Sequence, residues 1–152
     1  METTEQFRYL ILAAQREGSR RLAQMLAPLG LTPSQAEVLT VLDRAGEPLS
    51  LREVGDLLIC ERSSPSRLVR TMERDGLLRL QPHPGDGRIN LASLTSTGRR
   101  LATRVASIEA QLHDWLREAV PDDELNAALD ALQAVVAGTD SADALDRRRS
   151  IA

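Results

Sequence analysis

Lysine is absent from this 152-residue chain, and all 19 basic side chains are arginine. Aromatic residues are nearly absent too, with one each of Phe, Tyr and Trp. Neither a stacking platform for single-stranded nucleic acid nor a cage for a quaternary amine has material to be built from. The lone cysteine, Cys60, excludes an intramolecular disulfide and any cysteine-based zinc cluster. The longest apolar stretch near the start, Tyr9 to Ala14, falls far short of the ~20 residues a membrane span needs. The opening METTEQ lacks the basic flank of a signal peptide, so the expected location is the cytoplasm. Gly-rich phosphate loops, an H-E-x-x-H helix and a G-x-S-x-G elbow are also missing, and the two His and one Cys are not arranged as nucleophile and base. The expectation is a protein that is not an enzyme and uses no cofactor and no metal.

What remains is ordinary for a folded chain, with 42% hydrophobic and 27% charged residues in about one domain's length. The net charge of −3 hides a division along the chain. From Arg62 to Arg100, eight arginines (Arg62, Arg67, Arg70, Arg74, Arg79, Arg88, Arg99 and Arg100) stand against Glu73, Asp75 and Asp86, a local charge of +5 that leaves −8 for the rest. A basic segment in an acidic protein fits a local polyanion contact, and the acidic remainder limits non-specific adhesion. A solvated charged face would give the same count.

Phe7, Leu10, Ile11, Ala14, Leu22, Met25, Leu26 and Leu29 recur at helical spacing and predict a long amphipathic helix over about 5–28, closed by Gly30. Thr32-Pro33-Ser34-Gln35 and Ser50-Leu51-Arg52-Glu53 are two capping boxes. The first opens a helix through Ala36, Leu39 and Leu42, and the second, after the short apolar step Pro48-Leu49, opens one facing inward with Val54, Leu57 and Leu58. A helix over 62–75 sets Pro65, Leu68 and Met72 on one face and Ser63, Ser66, Arg67, Arg70 and Arg74 on the other. Leu78-Arg79-Leu80 and Ile89-Asn90-Leu91 alternate around turn chemistry at 82–87, a hairpin with Arg88 at its tip. Beyond Thr97, the residues Leu101, Val105, Ile108, Leu112 and Trp115 repeat with heptad gaps, a seam suited to another helix. Pro121-Asp122-Asp123-Glu124 starts a last helix through Leu125, Leu129, Leu132 and Val136, and residues 139–152 are expected to form a flexible, frayed tail.

Helix, short strand, helix, tight turn, helix, hairpin is the order of a winged helix-turn-helix. The expected fold is therefore mainly α with a small β-hairpin wing, its core spanning about 31–97 between dimerisation helices at about 5–28 and 97–137, in a single protomer of residues 1–138. A helix fits the major groove of double-stranded DNA, where arginine can bind guanine bidentately, and an arginine-tipped wing suits a narrow minor groove.

Four segments also resemble the multiple antibiotic resistance regulator (MarR) family of bacterial transcription factors. They are Leu31-Thr32-Pro33-Ser34-Gln35, Ser63-Ser64-Pro65-Ser66-Arg67-Leu68-Val69, Asp86-Gly87-Arg88, and Leu94-Thr95-Ser96-Thr97-Gly98. The resemblance implies a homodimer intertwined through the first and last two helices, acting as a repressor on a pseudo-palindromic operator. By position it implies that Arg62, Ser63, Ser64, Ser66, Arg67 and Arg70 face the major groove and that Arg88, oriented by Asp86, enters the minor groove. It further implies a small phenolic or anionic aromatic effector held between the first, second and fifth helices, with Phe7, Arg8, Tyr9 and Arg16 as candidates. The heptad seam supplies the dimerisation candidates Leu101, Val105, Ile108, Leu112 and Trp115. The alternative is a winged helix that serves as a protein-interaction module without DNA readout. Ser63 and Ser64 can also be read as helix caps, Trp115 as dimer core, and Cys60 as a small buried hydrophobe. His83 and His113 are too isolated to suggest a metal site.

Overall fold

A computed structural model describes residues 1–60 and 63–151. Helix α1 (Thr3–Leu26) tightens into a 3-10 turn, Ala27–Leu29, and Gly30 ends it in the left-handed region at φ 68°. Both capping boxes form. Thr32 Oγ1 accepts from the Gln35 N–H at 3.2 Å and Gln35 Oε1 accepts from the Thr32 N–H at 2.9 Å, opening α2 (Pro33–Ala45). After the two-residue strand β1 (Leu49–Ser50), the pair Ser50 and Glu53 opens α3 (Leu51–Leu57) with contacts of 3.2 and 2.7 Å. The Ser50 hydroxyl and backbone N–H hold the Glu53 carboxyl below the usual carboxylate range.

Helix α4 (Pro65–Arg74) begins three residues later than the spacing predicts, because Pro65 takes the first helical position, where its missing N–H has no intrahelical partner. Strands β2 (Leu78–His83) and β3 (Asp86–Leu94) form the expected hairpin, in an antiparallel sheet of order β1-β3-β2. The connection is tighter than 82–87, since Pro82 and His83 belong to β2 and only Pro84 and Gly85 turn. Proline is tolerated there because β2 is an edge strand. The register runs from Leu78↔Leu94 to Pro82↔Asn90 and then jumps to His83↔Asp86, a bulge that carries Arg88 on β3.

Helix α5 (Ser96–Ala119) is capped by Thr95, whose hydroxyl accepts from the Gly98 N–H at 3.0 Å and donates to the Gly76 carbonyl at 2.7 Å. Gly98 is required here: a Cβ at this position would lie 2.1 Å from the Leu77 carbonyl oxygen. Helix α6 (Asp122–Val136) follows with three acids in its first turn.

The last segment corrects the expectation of a flexible tail. Residues Asp140–Ser150 form α7, which packs on α3. Thr139 caps it, Asp140 and Asp143 sit in the first turn, Arg147, Arg148 and Arg149 in the last, and Ala144 is fully buried. Acids at the start and cations at the end both complement the helix dipole.

The core gathers Leu26, Val38, Leu39, Val41, Val54, Leu58, Val69, Met72 and Val105, all at or below 1% exposure. Part of the heptad seam packs within the protomer. Val105 is fully buried within the protomer, and Leu101 and Ile108 pack against the same cluster, because α5 lies across α2 and α1. Leu101 and Ile108 are partly buried by this packing. Leu112 and Trp115 stay partly exposed, the Arg21 guanidinium lying 4.3 Å from the Trp115 ring centroid. The uncovered apolar surface lies elsewhere: Phe7, Tyr9, Leu10 and Leu12 on α1, Leu116 on α5, and Leu129, Leu132 and Val135 on α6 are 42–58% exposed. None of the residues of α6 is buried. Among the described residues, no helix is long and apolar enough to cross a membrane.

Candidate nucleic-acid interface

The outer face of α4 is created by what its inner face must do. Val69 and Met72 are fully buried, and the 3.6-residue period then turns Ser66, Arg67, Arg70 and Arg74 outward, where all four are exposed. Spacing alone sets Pro65, Leu68 and Met72 on the inner face; the fold adds Val69 to it. Gly55 lets α3 come close: a Cβ there would sit 3.1 Å from Pro65 Cγ. At the other end, Glu73 Oε1 accepts from the Leu80 N–H at 3.3 Å, tying the helix to the wing.

Ser64 is the N-cap residue of α4 and makes no side-chain capping bond, while Ser63 is exposed just before it. Arg62 lies outside the described residues. Arg74 reaches the Thr71 hydroxyl at 3.4 Å, along its own helix. Arg79, Arg99 and Arg100 are exposed on β2 and the start of α5.

On the wing, Asp86 and Arg88 form one unit. Asp86 Oδ1 accepts from the Arg88 backbone N–H at 3.1 Å and from Nε at 3.2 Å, and Oδ2 lies 3.5 Å from Nη2. The backbone N–H first, then the guanidinium, lowers the Asp86 pKa. The Arg88 side chain remains 93% exposed. Its guanidinium is thus oriented at one edge and open to solvent at the other. His83 steadies the turn by accepting from the Gly85 N–H at 2.9 Å.

Phe7, Arg8, Tyr9 and Arg16 are exposed along α1, the Arg8 guanidinium lying 4.1 Å from the Tyr9 ring centroid. A concavity of about 370 Å³ lies where α1, α2, α5 and α7 meet, lined by Leu22, Thr40, Arg44, Glu109, Leu112 and His113 together with α7 side chains. Within it, the Thr40 hydroxyl donates to Glu109 Oε1 at 3.0 Å and Arg44 lies 3.8 Å from Glu109 Oε2.

Cys60 is exposed as a residue, not the small buried hydrophobe expected. Its thiol is nevertheless pushed up to about 11, first by desolvation and then by the Glu37 carboxylate, opposite to what a reactive thiolate needs. Sequence reasoning misses Glu37 itself. Its carboxylate is buried and accepts from the Ile59 and Cys60 N–H groups at 2.8 and 2.7 Å. A lone acid between Ala36 and Val38 is its only local signal, since the amides it holds lie 22 and 23 residues away.

Residues 29–89 match the model of the MarR family. The HTH-type transcriptional repressor IacR of Pseudomonas putida is 27% identical over 94 residues, covering 62% of this chain and 56% of that relative. The chain therefore aligns with little more than half of its curated relative. Among solved structures, a mutant MarR from E. coli complexed with operator DNA superposes with a TM-score of 0.76 at 23% identity, covering 90% of this chain and 99% of that one. CouR from Rhodococcus jostii RHA1, bound to p-coumaroyl-CoA, gives 0.76 at 24%, covering 91% and 97%. These two likenesses speak to the fold alone. Taken with the family-model match over residues 29–89, they lead to one conclusion: this chain carries a winged helix-turn-helix fold similar to that of the MarR family.

Proposed function

We propose that this protein is a ligand-responsive transcription repressor of the cytoplasm that binds double-stranded DNA as a homodimer on a pseudo-palindromic operator. The observation that carries the reading is the exposure of Ser66, Arg67 and Arg70 on the outer face of α4, together with the Asp86-oriented Arg88 of the wing. In this reading α4 lies in the major groove, with Ser63, Ser64, Ser66, Arg67 and Arg70 toward it, and Arg62 beside them by sequence position. Arg88 enters the flanking minor groove and Asp86 sets its direction. The likeness to the repressor IacR and to the E. coli MarR mutant complexed with operator DNA supports the same reading. The match to the MarR family model also favours a regulator over an enzyme. A protein-interaction module would leave these outward arginines without a polyanion.

The apolar surface on α1 and α6 is the dimer interface in this reading, because patches of this kind on a small chain mark a partner. The effector is a small phenolic or anionic aromatic compound, and the CouR complex with p-coumaroyl-CoA is a precedent for it. The concavity where α1, α2, α5 and α7 meet is a second place to look for it, beside Phe7, Arg8, Tyr9 and Arg16.

The test is selection from a random duplex library at a stated salt concentration. The expected product is a two-fold symmetric sequence with half-sites about one helical turn apart. Equal affinity for every duplex, or for none, refutes the reading.

A further inference from the structure

The most unexpected element is α7, and its docked face is specific. Ala144, Arg147, Arg148 and Ile151 recur at intervals of three, one and three, so they share one side of the helix. Ala144 is fully buried, Ile151 packs against the core, and Arg147 Nη1 reaches the Asp56 carbonyl at 3.5 Å. Arg148 Nη1 donates to Glu37 Oε1 at 3.0 Å, an ion pair in which the Glu37 side chain is 6% exposed and that of Arg148 24%. Glu37 belongs to α2, and the Ile59 and Cys60 amides it holds lie in the link between α3 and α4. One carboxylate thus joins α2, the turn of the helix-turn-helix and the C-terminal helix. A buried carboxylate that loses its cation is left uncompensated and must rehydrate or shift, which would disturb the link it holds.

We propose that α7 is a strap on the helix-turn-helix, with Arg148 and Glu37 as positioning residues that set how α4 is presented to DNA. The inference rests on the DNA-binding reading above and goes beyond it by making DNA affinity depend on a helix that contacts no DNA. Arg149, which borders the same concavity as Arg148, is a built-in control for DNA binding measured without effector. It pairs with Asp146 of its own helix at 2.7 Å, so its removal takes the same charge from the same turn and leaves Glu37 untouched.

The experiment compares the full-length wild type with Arg148→Ala, Arg148→Lys and Arg149→Ala. It measures affinity for the selected operator across a salt series and amide hydrogen exchange at Ile59 and Cys60. Arg148→Ala is expected to weaken binding about 3- to 30-fold, the range for residues that couple sites without touching a ligand. It should also speed exchange at the two amides and leave the slope of log affinity against log salt unchanged. Arg148→Lys should recover part of the loss, and Arg149→Ala should change none of these. Equal losses from Arg148→Ala and Arg149→Ala overturn the strap, as does retained affinity with unchanged exchange. A slope shallower by ~0.9 per protomer overturns it too, since Arg148 would then be a phosphate contact. If the alanine variant does not fold, Arg148→Gln keeps a donor for Glu37 without the charge and gives the same comparison. A wild type that selects no sequence refutes the DNA reading instead; exchange at Ile59 and Cys60 in Arg148→Ala then still decides the strap.

Discussion

Removing Arg88 tests the wing as a DNA element. Its side chain is 93% exposed and tethered through Nε to Asp86 at 3.2 Å, so truncation to alanine leaves no cavity and no buried group unpaired. Thermal stability should hold, because an exposed ion pair contributes little. All of the expected effect lies in binding. If each Arg88 neutralises one phosphate, the log–log salt slope becomes shallower by ~0.9 per contact and ~1.8 per dimer. Between 50 and 200 mM salt, that slope amounts to a difference of about 12-fold in how much affinity wild type and variant lose. Asp86→Ala should weaken binding less and keep the slope, because it orients Arg88 without touching phosphate. Arg67→Ala behaves differently if Arg67 reads guanine, costing about 1–3 kcal/mol and relaxing one base position per half-site. Fluorescence anisotropy across a salt series, paired with library selection for each variant, separates these outcomes. An unchanged slope and unchanged flanking preference for Arg88→Ala would refute the wing assignment.

Two glycines should respond with opposite signs. Gly98→Ala places a methyl 2.1 Å from the Leu77 carbonyl oxygen, and the backbone shift should outweigh the ~1 kcal/mol gain in helix propensity, for a net loss of about 2 kcal/mol or more. Gly18→Ala, with nothing within 4 Å of the new methyl, should gain about 0.5–1 kcal/mol; calorimetry that finds both changes of one sign contradicts this. Leu132→Glu, on the exposed face of α6, should yield a folded monomer with weakened operator binding, whereas Ile108→Asp strikes the protomer's own core. Light scattering that finds wild type monomeric at micromolar concentration would sink the dimer. Cys60, with its pKa raised from 9.0 to about 11, should react at pH 8 about 100-fold more slowly than an unperturbed thiol, through its smaller thiolate fraction. Because the folded value lies above the unfolded one, this group's contribution to stability is intact below pH 9 and falls as the pH climbs toward about 11. A labelling rate equal to that of free cysteine would show that the thiol's desolvation beside Glu37 is not maintained in solution.

The local chemistry of this chain was legible from its residues. Thr32 with Gln35 and Ser50 with Glu53 announce two helix starts, because a capping box is satisfied within four residues. Pro65 and Gly76 bracket α4, and β2 alternates into a turn that must return as β3. The outward arginines of α4 followed from its period once an inner face was assigned. What spacing alone left open was which apolar face has a partner inside the protomer. The heptad pattern of α5 looks the same whether the covering helix belongs to this chain or to another, and only the tertiary structure shows α1 and α2 occupying it from Leu101 to Ile108. The same holds for α7. Its cap and end charges were present in the sequence, but Arg148 meets Glu37 across 111 positions. The stabilisation that turns a short charged segment into a docked helix is therefore a long-range ion pair and a buried Ala144. Neither is a property of any local window, so only the folded chain could decide it.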